Sequence, residues 1–259
     1  MAEEAPRVLI LGGCGFIGRN LVEYLLNENL TGEIVVADKL MPVLSYMSET
    51  HSQCFENEKV VFIQADLTRP DHLQRAFGED SFQYVINCAG ETKNGQGDEV
   101  YASRCTDLSI KCAEMASEKG VEKFIELSTA MVYKSQGKRP ALETADKIPW
   151  TQQARAKLNG EEALLSMNDL NLVVLRPSIV YGPGDVNGLM PRVTCAASYV
   201  RLGDTMKFLW DAGMKLNTVH VRDVVRAIWH CIGDEVPDKV LLKMFFLFAL
   251  FISFVVCCY

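Results

Sequence analysis

Histidine and tryptophan are scarce in this chain of 259 residues, at four and three. The nine cysteines (14, 54, 88, 105, 112, 195, 231, 257 and 258) form no C-x-x-C pair. No histidine-bearing metal spacing accompanies them, so a zinc ribbon, a thioredoxin-like redox motif and any other metal site are not expected. A basic cluster is also missing. With 26 Lys and Arg against 33 Asp and Glu, the net charge is −7, which argues against a nucleic-acid partner. The opening MAEEAPR is acidic and runs straight into an apolar segment, so it reads as neither a signal nor a transit peptide. An odd cysteine count without such a signal points to reduced thiols and a cytoplasmic protein. There is no internal repeat and no interdomain linker. Apolar residues make up 49% and charged residues 23%, ordinary for a globular protein of one or two domains.

The most informative segment is VLILGGCGFIGRN, Val8–Asn20. Gly12, Gly15 and Gly18 give G-x-x-G-x-x-G, while Gly13, Gly15 and Gly18 satisfy G-x-G-x-x-G. Glycine is required where a strand turns tightly into a helix and the backbone must approach a pyrophosphate. Free N–H groups at the helix start and the helix dipole then hold the phosphates. The context supports this over a plain βαβ turn. Arg7–Leu11 is a buried strand, Phe16–Asn27 has helical apolar spacing, and the strand Glu33–Ala37 ends on Asp38, where an acid would grip an adenosine ribose.

Further on, strands and helices alternate. Strands are expected at Lys59–Gln64, Phe82–Cys88, Glu122–Leu127 and Leu172–Leu175. Helices are expected at Pro70–Phe77, Asp98–Lys119 and Thr151–Met167. Gly182–Leu202 reads as loop then helix. Leu216–Val219 and the helix Val221–Ile232 should return to the sheet. The alternation specifies an α/β fold, a Rossmann-type doubly wound parallel sheet with its ligand at the strands' carboxyl ends. The expected division is a nucleotide-binding domain over 1–180, a truncated C-terminal substrate lobe over 181–239, and an apolar tail over 240–259. That tail, VLLKMFFLFALFISFVVCCY, carries one charge, Lys243. Its length suits a membrane-spanning helix, with Lys239 and Lys243 keeping the body in the cytosol as a tail-anchored protein. The favoured alternative is a non-native or alternatively encoded terminus joined to an interrupted domain.

The chain resembles the extended short-chain dehydrogenase/reductase family, which contains NAD-dependent sugar-nucleotide epimerases and dehydratases and the 3β-hydroxysteroid dehydrogenases. The resemblance rests on GGCGFIG (Gly12–Gly18), Asp38, ADL (Ala65–Leu67), NCAG (Asn87–Gly90), LSTAMVY (Leu127–Tyr133), ARAKLNGEEAL (Ala154–Leu164), LRPSIVYGPGD (Leu175–Asp185) and VHVRDV (Val219–Val224). It implies NAD as cofactor and the following contacts. Gly12, Gly15, Phe16, Ile17 and Gly18 would line the pyrophosphate, and Asp38 would take the ribose hydroxyls and repel a 2′-phosphate. Asp66 and Leu67 would border the adenine, and Cys88, Ala89 and Gly90 would pass under the cofactor. Pro177 with Ser178–Val180 would flank the nicotinamide. Bland alternatives stand beside two of these: Asp66 as a strand-end turn former and Pro177 as a chain breaker.

The resemblance also implies a Ser or Thr, a Tyr and a Lys as the catalytic set, the last two as Y-x-x-x-K on one helix face. There the ammonium lowers the phenol pKa so that the tyrosinate can take a substrate proton. Thr129 occupies the hydroxyl position, with Ser128 as a weaker candidate, and Lys157 is present to bind the nicotinamide ribose. Four residues before Lys157 stands Gln153, which cannot ionise. Tyr133, Glu91, Lys93 and Tyr101 are the possible substitute bases. Ala130 and Met131 replace an acidic pair expected of the dehydratases, so elimination of water is disfavoured. The expectation is an NAD-binding oxidoreductase or epimerase acting on a small-molecule secondary alcohol, a sugar nucleotide or a sterol, with weakened catalysis. The alternative is a non-catalytic NAD sensor or scaffold. A homodimer would pair through Asp98–Lys119 and Thr151–Met167, unless their apolar residues Tyr101, Leu108, Ile110 and Met115 face the sheet instead.

Overall fold

The computed structural model describes residues 5–79, 81–134, 142–207, 216–233 and 240–244, the last segment by its backbone. Its first half is β1 (Arg7–Leu11), α1 (Phe16–Asn27), β2 (Glu33–Asp38), α2 (Glu49–Phe55), β3 (Val60–Gln64), α3 (Pro70–Phe77) and β4 (Tyr84–Asn87). Then follow α4 (Asp98–Tyr101), a π turn (Ala102–Asp107), α5 (Leu108–Glu118), β5 (Lys123–Leu127), α6 (Gln152–Leu165) and β6 (Leu172–Pro177). The remainder is β7 (Ile179–Tyr181), α7 (Leu189–Leu202), β8 (Thr218–His220), α8 (Val221–His230) and β9 (Val240–Met244).

Seven strands form one sheet in the order β3-β2-β1-β4-β5-β6-β9, and every pairing in it is parallel. The expected doubly wound fold is therefore observed. Because both faces are covered, the central strands are apolar on both sides rather than alternating. Leu9, Leu11, Val85, Phe124 and Val174 pack under α3, α5 and α6. Val8, Ile10, Ile86, Ile125 and Val173 pack under α1 and α8. The strand order reverses between β1 and β4, which opens a crevice at their carboxyl ends.

Three expectations need correction. The Leu216–Val219 segment does not rejoin the main sheet. It becomes β8, paired in parallel with β7 in a separate two-stranded sheet. The helix expected over Asp98–Lys119 is interrupted by the π turn, a wide turn of the kind frequent at functional sites. The apolar tail does not begin as a helix. Val240–Met244 lies beside β6, with Val240 opposite Val173 and Met244 opposite Pro177. The open hydrogen-bonding edge of β6 is a tertiary partner that apolar length alone does not reveal. Residues 245–259 lie outside the described residues. Among the described residues, no helix is long and apolar enough to cross a membrane.

The apolar residues considered for a homodimer are largely spent within one chain. Tyr101 and Leu108 are buried, and Ile110 and Met115 pack on the core under α5.

Candidate active site

The glycine loop runs from the end of β1 into α1. Gly12 has φ +74°, and a Cβ there would sit 2.7 Å from the Ala89 backbone. A Cβ on Gly18 would lie 2.5 Å from Gly13 Cα, so the helix can approach the loop only without one. Gly15, which caps α1, is different. Only the Gly12 carbonyl oxygen, at 3.1 Å, lies near an added Cβ, and the rest of that face is open. Thus one glycine serves the turn, one the helix packing, and Gly15 leaves space at a helix N-terminus where a phosphate belongs. Phe16 and Ile17 form the first turn beside it.

Asp38 ends β2, half-buried. Its Oδ2 accepts from Cys14 N–H at 3.0 Å and its Oδ1 from Leu40 N–H at 3.0 Å. Burial raises its pKa, and those two amide bonds oppose the rise. A carboxylate oriented by the loop itself suits ribose hydroxyls. Sequence reasoning missed what holds this arrangement together. Arg19, 8% exposed, donates to Cys14 O (2.6 Å), Gly15 O (3.2 Å) and Ser45 O (3.0 Å). It joins the glycine loop to the loop after β2. Its only sequence signal is a charge within the first turns of α1.

Cys88 and Ala89 leave β4 directly against Gly12, and Gly90 follows beside Lys157 Nζ. Burial pushes the Cys88 thiol up to about 12 and the Cys14 thiol likewise to about 12, so both are packing residues. Asp66 takes part in the strand-end turn. Its Oδ1 accepts from the Thr68 hydroxyl (2.7 Å) and Thr68 N–H (3.2 Å), and the hydroxyl bond leads in lowering its pKa. Leu67 is a core residue at 5% exposure. Pro177 closes β6 in the buried interior, and Val180, in β7, packs on the core under α1 and α8. Ser128 Oγ and Ser178 Oγ, at the ends of β5 and β6, are buried without a hydrogen-bond partner among the described residues.

Of the catalytic set, Thr129 caps a short 3-10 turn, its hydroxyl accepting from Met131 N–H at 3.2 Å. Thr151 caps α6 through Ala154 N–H, placing Gln153 and Lys157 on one face of that helix. Lys157 Nζ donates to Leu127 O and lies 3.8 Å from where a Cβ on Gly90 would be. Gln153 Nε2 donates to Glu91 O at 2.6 Å. The glutamine thus braces the loop after β4.

Three of the four substitute bases are occupied elsewhere. Tyr133 OH donates to Glu143 O at 3.3 Å and accepts from Arg176, and burial raises its pKa. Arg176 also pairs with Glu161, and both are fully buried. Burial would raise the Glu91 pKa, but bonds from Lys93 N–H and Arg104 bring it below the ordinary range. Tyr101 OH donates to Lys93 O at 2.7 Å.

A cavity of about 490 Å³ is lined by Tyr181, Gly182, Pro183, Gly184, Asp185, Met190 and His220. It adjoins the cradle, since a Cβ on Gly184 would lie 3.7 Å from the Phe16 ring. His220 caps α8, its ring accepting the Arg222 N–H at 3.2 Å. No group of three or more metal-ligating side chains forms among the described residues.

Fold and cradle together define a dinucleotide-binding protein of the doubly wound class. Residues 8–241 match the model of the NAD dependent epimerase/dehydratase family. The chain belongs to that family, whose cofactor is NAD, and so to the extended short-chain dehydrogenase/reductase group. It is 27% identical over 225 residues to a Saccharomyces cerevisiae sterol-4-alpha-carboxylate 3-dehydrogenase, decarboxylating, covering 83% of this chain and 63% of that protein. It is 27% identical over 199 residues to a putative UDP-arabinose 4-epimerase of Arabidopsis thaliana, covering 73% and 45%. The chain therefore spans less than two thirds of either relative. Its fold is also that of the Bordetella bronchiseptica enzyme WbmG in complex with NAD, with a TM-score of 0.78, 22% identity, and coverage of 94% and 74%.

Proposed function

We propose that this chain binds NAD in the glycine-loop cradle and acts as an oxidoreductase or epimerase-type protein on a secondary alcohol, with weakened proton transfer. The observation that carries this is the pairing of an open Gly15 face with a Gln153 amide tied to Glu91 O. The cradle suits a pyrophosphate, whereas the position from which a phenolate would act holds a group that cannot ionise. When bound, NAD supplies a hydride acceptor. Thr129 would hold the substrate hydroxyl with the proton that its accepted bond from Met131 leaves to it. Lys157 would bind the ribose with its ammonium. Among the described residues, Tyr133, Glu91 and Tyr101 are held in other bonds, which supports weakened removal of the substrate proton, a step that typically contributes about 10²–10⁴-fold. The substrate class is a sugar nucleotide or a sterol, supported by the names of the relatives. The seven cysteines of the described residues are free, which supports a reducing, cytoplasmic setting.

A second reading, a non-catalytic NAD sensor or scaffold, is favoured by the occupation of Tyr133, Glu91 and Tyr101 in structural bonds. The full chain, saturated with NAD⁺, is assayed for nicotinamide reduction on a panel of sterols and sugar nucleotides. Turnover abolished by Thr129→Ala or Lys157→Met establishes the enzyme. Turnover that arises only after Gln153→Tyr overturns the enzymatic reading in favour of the sensor.

A further inference from the structure

A buried acid lies under the catalytic half of the site and takes no part in the chemistry described above. Glu126 is in β5, opposite Asn87 of β4, and is 3% exposed. Its Oε2 accepts from Asn87 Nδ2 at 2.7 Å and its Oε1 from Ser109 Oγ at 2.8 Å. Asn87 Oδ1 in turn accepts the Ala89 N–H at 3.1 Å. A continuous chain of bonds therefore runs from the carboxyl to the Cys88–Gly90 segment on which Gly12 rests.

The charged and titratable groups facing Glu126 are few. Lys157 and Glu161 come from α6, Cys88 from the exit of β4, Cys105 from the π turn and Cys112 from α5. Burial holds all three thiols protonated at neutral pH, and Glu161 is already paired with Arg176. That leaves Lys157 as the one cation in this set. Oxidised nicotinamide carries a ring cation and reduced nicotinamide does not, while the rest of the nucleotide has the same charge. Like any buried anion, an ionised Glu126 favours the ligand that brings positive charge.

We propose that Glu126 is a positioning residue, acting through Asn87 and the Cys88–Gly90 segment, whose carboxylate makes the cradle select NAD⁺ over NADH. This rests on the NAD reading of the site. Burial raises the Glu126 pKa to about 7, against the opposing effects of Lys157, Asn87 and Ser109. Ionisation, and with it the preference for NAD⁺, therefore grows as pH rises through neutrality.

The test is calorimetric titration of the full chain with NAD⁺ and with NADH at pH 6 and pH 8, before and after Glu126→Gln. Glutamine can keep both bonds, its carbonyl accepting from Asn87 and its amide donating to Ser109. The ratio of NAD⁺ to NADH affinity should rise on the order of tenfold between the two pH values, as one unit of pKa displacement produces. In Glu126→Gln it should stay flat. At pH 7, titrations in buffers of different ionisation enthalpy should show more proton release with NAD⁺ than with NADH, a readout that needs no variant. A flat ratio in the native chain, a slope that survives Glu126→Gln, or equal proton release for the two nucleotides overturns the proposal while leaving the cradle intact. Absence of any heat with either nucleotide overturns the cradle and this proposal together.

Discussion

At one end of the site, the glycine loop is built from main chain, and the tolerances around Gly12 and Gly18 are set by backbone atoms that have nowhere to go. At the other end, the region around Thr129, Gln153 and Lys157 is built from side chains, each bonded to a main-chain atom, above buried side-chain pairs such as Arg176 with Glu161. The first end pairs an open helix N-terminus at Gly15 with a carboxylate, Asp38, bonded to the loop. The second keeps the helix, the lysine and the hydroxyl but exchanges its phenol for an amide. On the function proposed above, binding and chemistry are separable in this fold. A backbone cradle survives changes that do not touch glycine, whereas a proton-transfer site is lost with one side chain.

The largest effect that sharpens this contrast should come from the braces beneath the second end. Arg176→Met would leave Glu161 as an unpaired buried charge, at a cost of about 3–5 kcal/mol in urea unfolding. Adding Glu161→Gln should restore much of that. An unchanged midpoint in the single variant would mean that the ion pair does not support this end.

At the first end, Gly12→Ala should cost roughly 3 kcal/mol, because it combines a positive φ with a backbone clash. Gly15→Ala should leave the unfolding midpoint nearly unchanged and instead abolish the rise in Tm that NAD gives. Equal damage from both would erase the distinction between turn and phosphate face.

The second end should also show a pH response. A carboxyl whose pKa is raised on folding loses its proton first in the unfolded chain. Glu126 therefore destabilises progressively as pH climbs from its ordinary value of 4.5 to about 7, and the loss levels off above that. The total is roughly 3 kcal/mol. Unfolding followed across that window should show the slope, and Glu126→Gln should remove it. The smallest effect is that of Gln153→Ala. Losing the bond to Glu91 O should cost about 1 kcal/mol, with NAD affinity unaffected.

What the sequence disclosed follows the same division. The glycine loop, Asp38 and the alternation of strands with helices are local patterns: a spacing of glycines, an acid at a strand end, an apolar run. The braces are not local. Glu126 reads as the single acid in KFIEL, and only the register that sets it opposite Asn87, together with Ser109 of α5, shows why a carboxyl can be buried there. Arg176 and Glu161 are 15 residues apart, on a strand and a helix, and nothing in either segment names the other. The π turn left no trace in the periodicity, because one widened turn shifts the pattern by a single position.

The pairing of β9 with β6 has a practical corollary. All six residues of β6 are buried, as befits a strand hydrogen-bonded on both sides. Trimming the polypeptide ahead of Val240, a natural wish given how greasy its far end is, would strip β6 of a neighbour. Its bare amides and carbonyls would then form a margin of the kind that recruits strands from other molecules. Clumping in such a trimmed preparation would report the wound at that margin and say nothing about the nucleotide.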